Sequence, residues 1–458
     1  MGRVLPRLEI VRRLRPVDLV ALHDVRLRVA TPGLHHMPAA APYVAVTSAL
    51  RGTGAVAFHL GGMRLAAEYD GERVALQLGE RRLVSRRHGR AQDPVDLGLS
   101  LTGTHVTAWV RERGRWVARA GHDLRHDPRR GPDTHDESAL AALAVETTTG
   151  LPATAGGFGQ LGLRDIRVVT HADGEPVREG GATWLTATSA GPGFFDTGHT
   201  SVWRLEPDLT LTHTGDLFFR RPDKPGVFGD HATHLVRDGD HWLVATSTWG
   251  DFEAPASRAG RRTPSTLRVT RGTSTSDLLR GTHVLDTVEL PLPTDGFASI
   301  ATWDPHLLRR DGTWHVGFVS AHRFFFFHPA LAAGPSLDEL TLVGADPSRV
   351  ATEGTTLLDV DGALVVLASD GRQGRRGQRA AFPVFDPQLR EVGALDAPYP
   401  TNLPWPSLVR EGRGNGDGDS WLMVTFNGRP QGGDLLGYGT HGDVVVMRSG
   451  PPRGDVTP

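Results

Sequence analysis

Residues 303–321 read WDPHLLRRDGTWHVGFVSA. An apolar run opened by Trp303-Asp304 leads into an Asp311-Gly312 turn, and a second run opens on Trp314. Alternating runs on either side of an Asp-Gly pair are the pattern of two antiparallel strands joined by a tight turn. The same paragraph recurs as RDIRVVTHADGEPVREGGATWLTATSAG at 164–191 and GDHATHLVRDGDHWLVATSTWG at 229–250. It returns as TEGTTLLDVDGALVVLASDG at 352–371 and PWPSLVREGRGNGDGDSWLMVTFNG at 404–428. Strand-turn-strand units repeating at about fifty to seventy residues predict a five-bladed β-propeller. The first strand of each blade then lines a central well, so the residues at those strand starts converge in space.

The second strands align on the same turn, at 184–189, 242–247, 314–320, 364–369 and 421–426, and all but one open on tryptophan. A large aromatic at that repeated position fits packing between neighbouring blades. Outer strands are expected at 201–205, 266–270 and 444–447. Ahead of the repeats, residues 1–125 alternate in short runs, among them 43–48, 54–60, 63–69, 95–102, 105–111 and 115–120. Turns such as Asp70-Gly71 and Arg113-Gly114 separate them. That spacing predicts an N-terminal β-sandwich of jelly-roll or lectin-like kind, with Trp109 and Trp116 in its core. Residues 126–155 read as a linker carrying one short helix at 136–146, capped by Asp136. Residues 156–458 are the propeller. The expected class is all-β in two domains, since 458 residues exceed what one core covers.

Lysine and arginine number 50 against 52 aspartates and glutamates. With no basic stripe, nucleic acid is not an expected partner. The chain has no cysteine, which excludes disulfides, thiolate metal sites and a cysteine nucleophile. No stretch approaches the length needed to cross a membrane. The basic N-terminus lacks an apolar core and a small-residue cleavage site. The protein is therefore expected in the cytoplasm, or outside the cell after loss of a leader, as a monomer or small homo-oligomer.

Anchoring the repeats on their turns puts Asp165, Asp230-His231, Trp303-Asp304 with His306, Glu353 and Trp405 at the inner-strand starts. Four of the five blades thus carry an acid near one end of the well. Several carboxylates and indoles around a pocket suit glycosidic bond cleavage. One carboxylic acid protonates the leaving oxygen, and a carboxylate activates water or attacks the anomeric carbon. A third acid raises the donor's pKa by like-charge repulsion. Trp249, Trp303 and Trp405 offer stacking faces for sugar C–H groups. The pair His231 and His234 points to opposite faces of a strand, so no chelating pair and no catalytic metal is expected. No cofactor is required on this reading, and His231 or His306 could help hold a Ca2+ or Na+ near the axis. Four phenylalanines at 324–327 cannot all face one core, and Arg323 beside them is a candidate for a carboxylate-bearing sugar.

The inner-strand openings RDIRVV, WDPHLL and TEGTTLL resemble motifs of the five-bladed propeller glycosidases related to glycoside hydrolase family 43. That group holds arabinofuranosidases, xylosidases and arabinanases, with fructan-cleaving relatives beside them. The resemblance implies a glycosidase acting on an oligosaccharide or glycoside, a furanoside such as arabinofuranose foremost. It implies Asp165 as general base or nucleophile, Asp304 as the acid that tunes pKa, and Glu353 followed by Gly354 as general acid. The family places its acids in successive blades, whereas here Glu353 falls in the fourth repeat and Asp230 intervenes. The tuning role is therefore open between Asp230 and Asp304. Two other functions fit the same well. One is a polysaccharide lyase or metal-dependent enzyme using His231, His306 and Arg323. The other is a non-catalytic carbohydrate-binding propeller.

Overall fold

Asp311 and Gly312 have φ of +50° and +77°, and Asp361 and Gly362 +51° and +76°. Two successive left-handed residues give the turn whose twist matches paired antiparallel strands. Hairpins closed in this way stack into blades. The computed structural model describes residues 5–449 apart from 17, 127–130, 160, 254–265, 324–325, 372–379, 402, 414–418, 434 and 438–440. The phenylalanines expected at 324 and 325 lie outside the described residues.

From the axis outward, the first blade is Leu163–Val168, Ala182–Ser189, His199–Leu205 and Leu211–Arg220. The second is His231–Asp238, His241–Ser247, Val269–Ser274 and Val288–Glu289. Ala301–Arg310, Thr313–Arg323, Phe326–Gly334 and Thr341–Ala345 build the third. The fourth is Thr352–Val360, Ala363–Asp370, Pro383–Phe385 and Glu391–Ala394. Ser407–Arg413, Asp419–Asn427 and Asp443–Ser449 make three strands of the fifth. Each inner strand lies against that of the next blade, and the fifth lies against the first, so the ring closes. Trp184 and Trp242 share one inter-blade cluster, while Trp314, Leu364 and Trp421 sit in three others. All five are buried, as their repeated position implied.

The fourth strand of the fifth blade is Leu8–Leu14, paired antiparallel with Asp443–Ser449. The unit read at 1–125 therefore begins later than its sequence suggested. Leu8 is buried with Trp421, Met423, Val445 and Met447, an apolar edge that needs a partner strand.

The remaining N-terminal strands form two six-stranded sheets around one core of Val44, Val46, Phe58, Leu65, Leu76, Leu99, Val106 and others. The boundary read at 126–155 also shifts. The helix is one short turn, Glu137–Ala141, whose Asp136 cap accepts the Ala139 N–H at 2.7 Å. The chain then returns to strand. Ala144–Thr147 slots between Gly33–His36 and Gly54–Leu60, and Ala153–Gly157 between His23–Val29 and Tyr43–Ala49. Trp109 and Trp116 are buried on a sheet's outer face with Phe158, Leu161, Ala190 and Leu436, which ties the N-terminal sheets to the propeller.

Candidate active site

A β-bulge sits at the same place in each of the first four inner strands. The ladder skips between Arg164 and Arg167, His231 and His234, Trp303 and His306, and Glu353 and Thr356. The left-handed residue of each bulge is Asp165 (φ +51°), Ala232 (+60°), Asp304 (+57°) and Gly354 (+70°). An extra residue in one strand bends it and re-aims its neighbours. Asp165 and Asp304 are therefore structural equivalents, and Glu353 precedes the bulge by one residue. A Cβ on Gly354 would lie 2.3 Å from the Trp405 indole, so only glycine fits there.

Beyond the bulge, Arg167, His234, His306 and Thr356 fill the axis. Arg167 reaches across it, donating to the Thr355 carbonyl at 2.8 Å and the Asp304 carbonyl at 2.9 Å, with its guanidinium 4.5 Å over Trp405. Burial lowers its pKa to about 10, and Asp304 and Asp165 oppose that fall, so it stays charged at neutrality. This guanidinium already supplies positive charge where the sequence allowed an axial Ca2+ or Na+. His234 and His306 stack with ring centroids 4.1 Å apart. Burial holds both neutral. His306, expected to touch substrate, is thus part of the packed axis.

The three acids assigned to chemistry lie close enough to act on one another. Burial pushes Asp304 well above the usual carboxylate range, and the charges of Glu353 and Asp165 push it further. The Gly354 N–H and Arg167 act in the opposite sense. Among the described residues, Asp304 Oδ2 is buried without a hydrogen-bond partner. Burial also raises Asp165, while Arg164, the Thr188 hydroxyl and Arg167 pull it back. Arg164 Nε is 3.6 Å from Asp165 Oδ2. Burial and the charges of its two acidic neighbours thus oppose the ionisation of Asp304.

His231 is buried beside them. Its Nδ1 is 3.8 Å from Asp165 Oδ2 and 3.3 Å from Thr188 Oγ1, and Nε2 meets the Phe195 carbonyl at 2.9 Å. Burial, then Arg164, keeps it neutral. Its ring stacks with Trp249, which meets Phe195, Phe252 and Trp303 edge-on. Trp303 in turn meets Phe327. Trp249, Trp303 and Trp405 are 7%, 4% and 1% exposed, so they form a packed wall and floor instead of the open stacking faces expected.

Asp230 does not join the group. It is fully buried, with both oxygens on Arg221 and one on the Gly250 N–H at 3.0 Å. It precedes the second bulge by two residues and holds a structural ion pair that continues through Asp251 to Lys224. Of the two acids between which the tuning role was open, Asp304 lies beside Asp165 and Glu353, and Asp230 does not. Arg323 is exposed and covers the Phe326 ring at 3.5 Å. Sequence reading overlooked Arg164, Arg167 and Thr188. Two arginines bracketing an acid inside an otherwise apolar inner strand were the available signal for the first two.

No family model and no curated protein matches the chain. Solved structures similar to it include a family 32 β-fructofuranosidase of Bombyx mori, at 12% identity and TM-score 0.41. That match covers 62% of this chain and 59% of the silkworm enzyme, less than two thirds of its length. A family 117 glycoside hydrolase produced by Zobellia galactanivorans matches at 14% identity and TM-score 0.43, over 63% of this chain and 83% of the other. A GH43_1 enzyme from Xanthomonas citri is 13% identical with TM-score 0.40, over 63% of this chain and 87% of that one.

Proposed function

We propose that the protein is a glycoside hydrolase whose reaction takes place where Asp165, Asp304 and Glu353 meet at the axis. The observation that carries this reading is that bulges in three inner strands bring these acids together, where Glu353 and Asp165 both oppose the ionisation of Asp304. Neighbouring carboxyls whose environments push their pKa values apart offer an acid and a base together, as glycosidic cleavage requires. Glu353 is less buried than Asp304 and serves as the proton donor to the leaving oxygen. Asp304, charged or neutral according to its neighbour, tunes that donor. Asp165, held by Arg164 and Thr188, is the base or nucleophile at the anomeric carbon. The substrate proposed is a small glycoside, a furanoside such as arabinofuranose, seated under the Trp249–Trp303 wall.

Glu353→Gln and Asp165→Asn should each lower kcat/KM on the best aryl glycoside by roughly 10³-fold or more while circular dichroism stays unchanged. A panel of aryl furanosides and pyranosides, followed by NMR of the anomeric product, identifies the sugar and the stereochemical course. Near-normal turnover in either variant would remove that residue from the mechanism.

A further inference from the structure

Away from the axis, a second group of chemistry-bearing side chains converges between the N-terminal sheets and the first blade. His23 opens the edge strand His23–Val29 of one six-stranded sheet. His199 opens the third strand of the first blade, and His213 and Asp216 lie on its fourth. All three imidazoles turn the same nitrogen, Nε2, to one carboxylate. His23 Nε2 is 2.6 Å from Asp216 Oδ2, and His199 and His213 Nε2 are 2.7 Å and 3.1 Å from Oδ1.

Asp216 and His199 are 2% and 0% exposed. Among the described residues, no arginine or lysine pairs with Asp216. A buried carboxylate needs a positive charge close by. A proton on one imidazole would supply it, and so would a divalent cation. Neutral imidazole nitrogens with a carboxylate oxygen are the donor set that Zn2+ takes at about 2.0–2.2 Å in tetrahedral sites. Donor atoms around such an ion stand roughly 3.3 Å apart; atoms of His23, His199 and Asp216 already lie within 4.8 Å of one another, and His213, against the same carboxylate, would turn in as the fourth ligand. A cavity of about 10 Å³ adjoins the cluster, bounded by His23, Asp216, Tyr43, Phe218 and Gly157. That is room for about one ion or water. Arg26 also borders it, but its Nε donates to Asp24 at 2.6 Å.

We propose that His23, His199, His213 and Asp216 bind one Zn2+ that pins the N-terminal sheets to the first blade. The site stands apart from the proposed glycosidase chemistry and does not depend on it. One ligand comes from the N-terminal sheets and three from the first blade, so the ion would resist separation of the two halves. It binds the folded protein, and the ligands at the extremes, His23 and Asp216, lie 193 residues apart in sequence.

The test begins with purified protein stripped by a strong chelator and titrated with Zn2+ by calorimetry, then with Co2+ read by visible absorbance. The expected result is one equivalent of Zn2+, intense tetrahedral Co2+ bands, and a Tm several degrees higher with saturating Zn2+. His23→Gln should weaken Zn2+ binding by at least about 10–100-fold and remove the Tm gain. His23 is on an edge strand, so this single variant keeps the test open if His199 or Asp216 variants fail to fold. The proposal is overturned if wild-type protein binds no stoichiometric Zn2+. It is equally overturned if His23→Gln and His213→Gln bind as well as wild type, which would leave a hydrogen-bonded imidazole hub.

Discussion

Asp304 takes the Gly354 N–H on its carboxylate, and its Oδ2 is buried without a partner among the described residues. Ionising it would set a third negative charge against Glu353 and Asp165, so the folded protein holds its proton to a higher pH than an unfolded chain does. Below the unfolded carboxylate pKa, both states are protonated and the folded state has its full advantage. As pH rises, the unfolded chain releases the proton first, and stability falls until the folded group also ionises. An asparagine has the same shape and never ionises. Asp304→Asn should therefore melt with wild type near pH 4 and about 2–4 °C above it at pH 7.5. Its turnover should fall, because an amide cannot give up or take back the proton through which Asp304 tunes Glu353. A melting difference independent of pH would show that Asp304 is not held protonated by its neighbours.

At the scale of the strand, the bulge decides which acids face the well, and it is what the sequence could not reveal. Alternation and Asp-Gly turns are local signals, so the hairpins at 303–321 and 352–371 were legible. A bulge adds one residue and moves every later side chain to the other face. Aligning repeats by their turns thus put Asp230 level with Asp165. The structure instead places Ala232 at that position and buries Asp230 on Arg221. Asp165, Asp304 and Glu353 come near one another because each lies within one residue of its bulge. Gly354 makes the bulge testable. Gly362 has φ +76° in an open turn with nothing near its missing Cβ, so Gly362→Ala should cost about 1 kcal/mol of backbone strain. Gly354→Ala adds a collision with the Trp405 indole and should cost about 2–5 kcal/mol in urea denaturation. Equal losses for the two would mean that Trp405 yields freely and does not fix the bulge.

Over the whole molecule, the pairings that close the fold join residues too distant for any local pattern to link. Leu8 lies opposite Ser449 and Leu14 opposite Val444, so the ring is shut by the start of the chain acting on its end. The N-terminal strand is short, charged and ordinary in sequence, which is why it was assigned to the neighbouring sheets. Its energetic role follows from what it covers. Leu8 is fully buried against Val445 and Met447, contributing about 1.5–3 kcal/mol, and the Arg15 guanidinium pairs with Asp443 at 2.5 Å just beyond it. Without that strand, Asp443–Ser449 becomes an unpaired apolar edge, which invites association with other chains. Deleting residues 1–15 should lower Tm by several degrees and produce oligomers in size-exclusion chromatography. A synthetic peptide spanning residues 5–16, added in trans, should restore both the monomer peak and part of the lost Tm, because the ladder it rebuilds needs no covalent link. If the shortened chain stays monomeric and melts with the full-length protein, the fifth blade is held by its own three strands and the closure is dispensable.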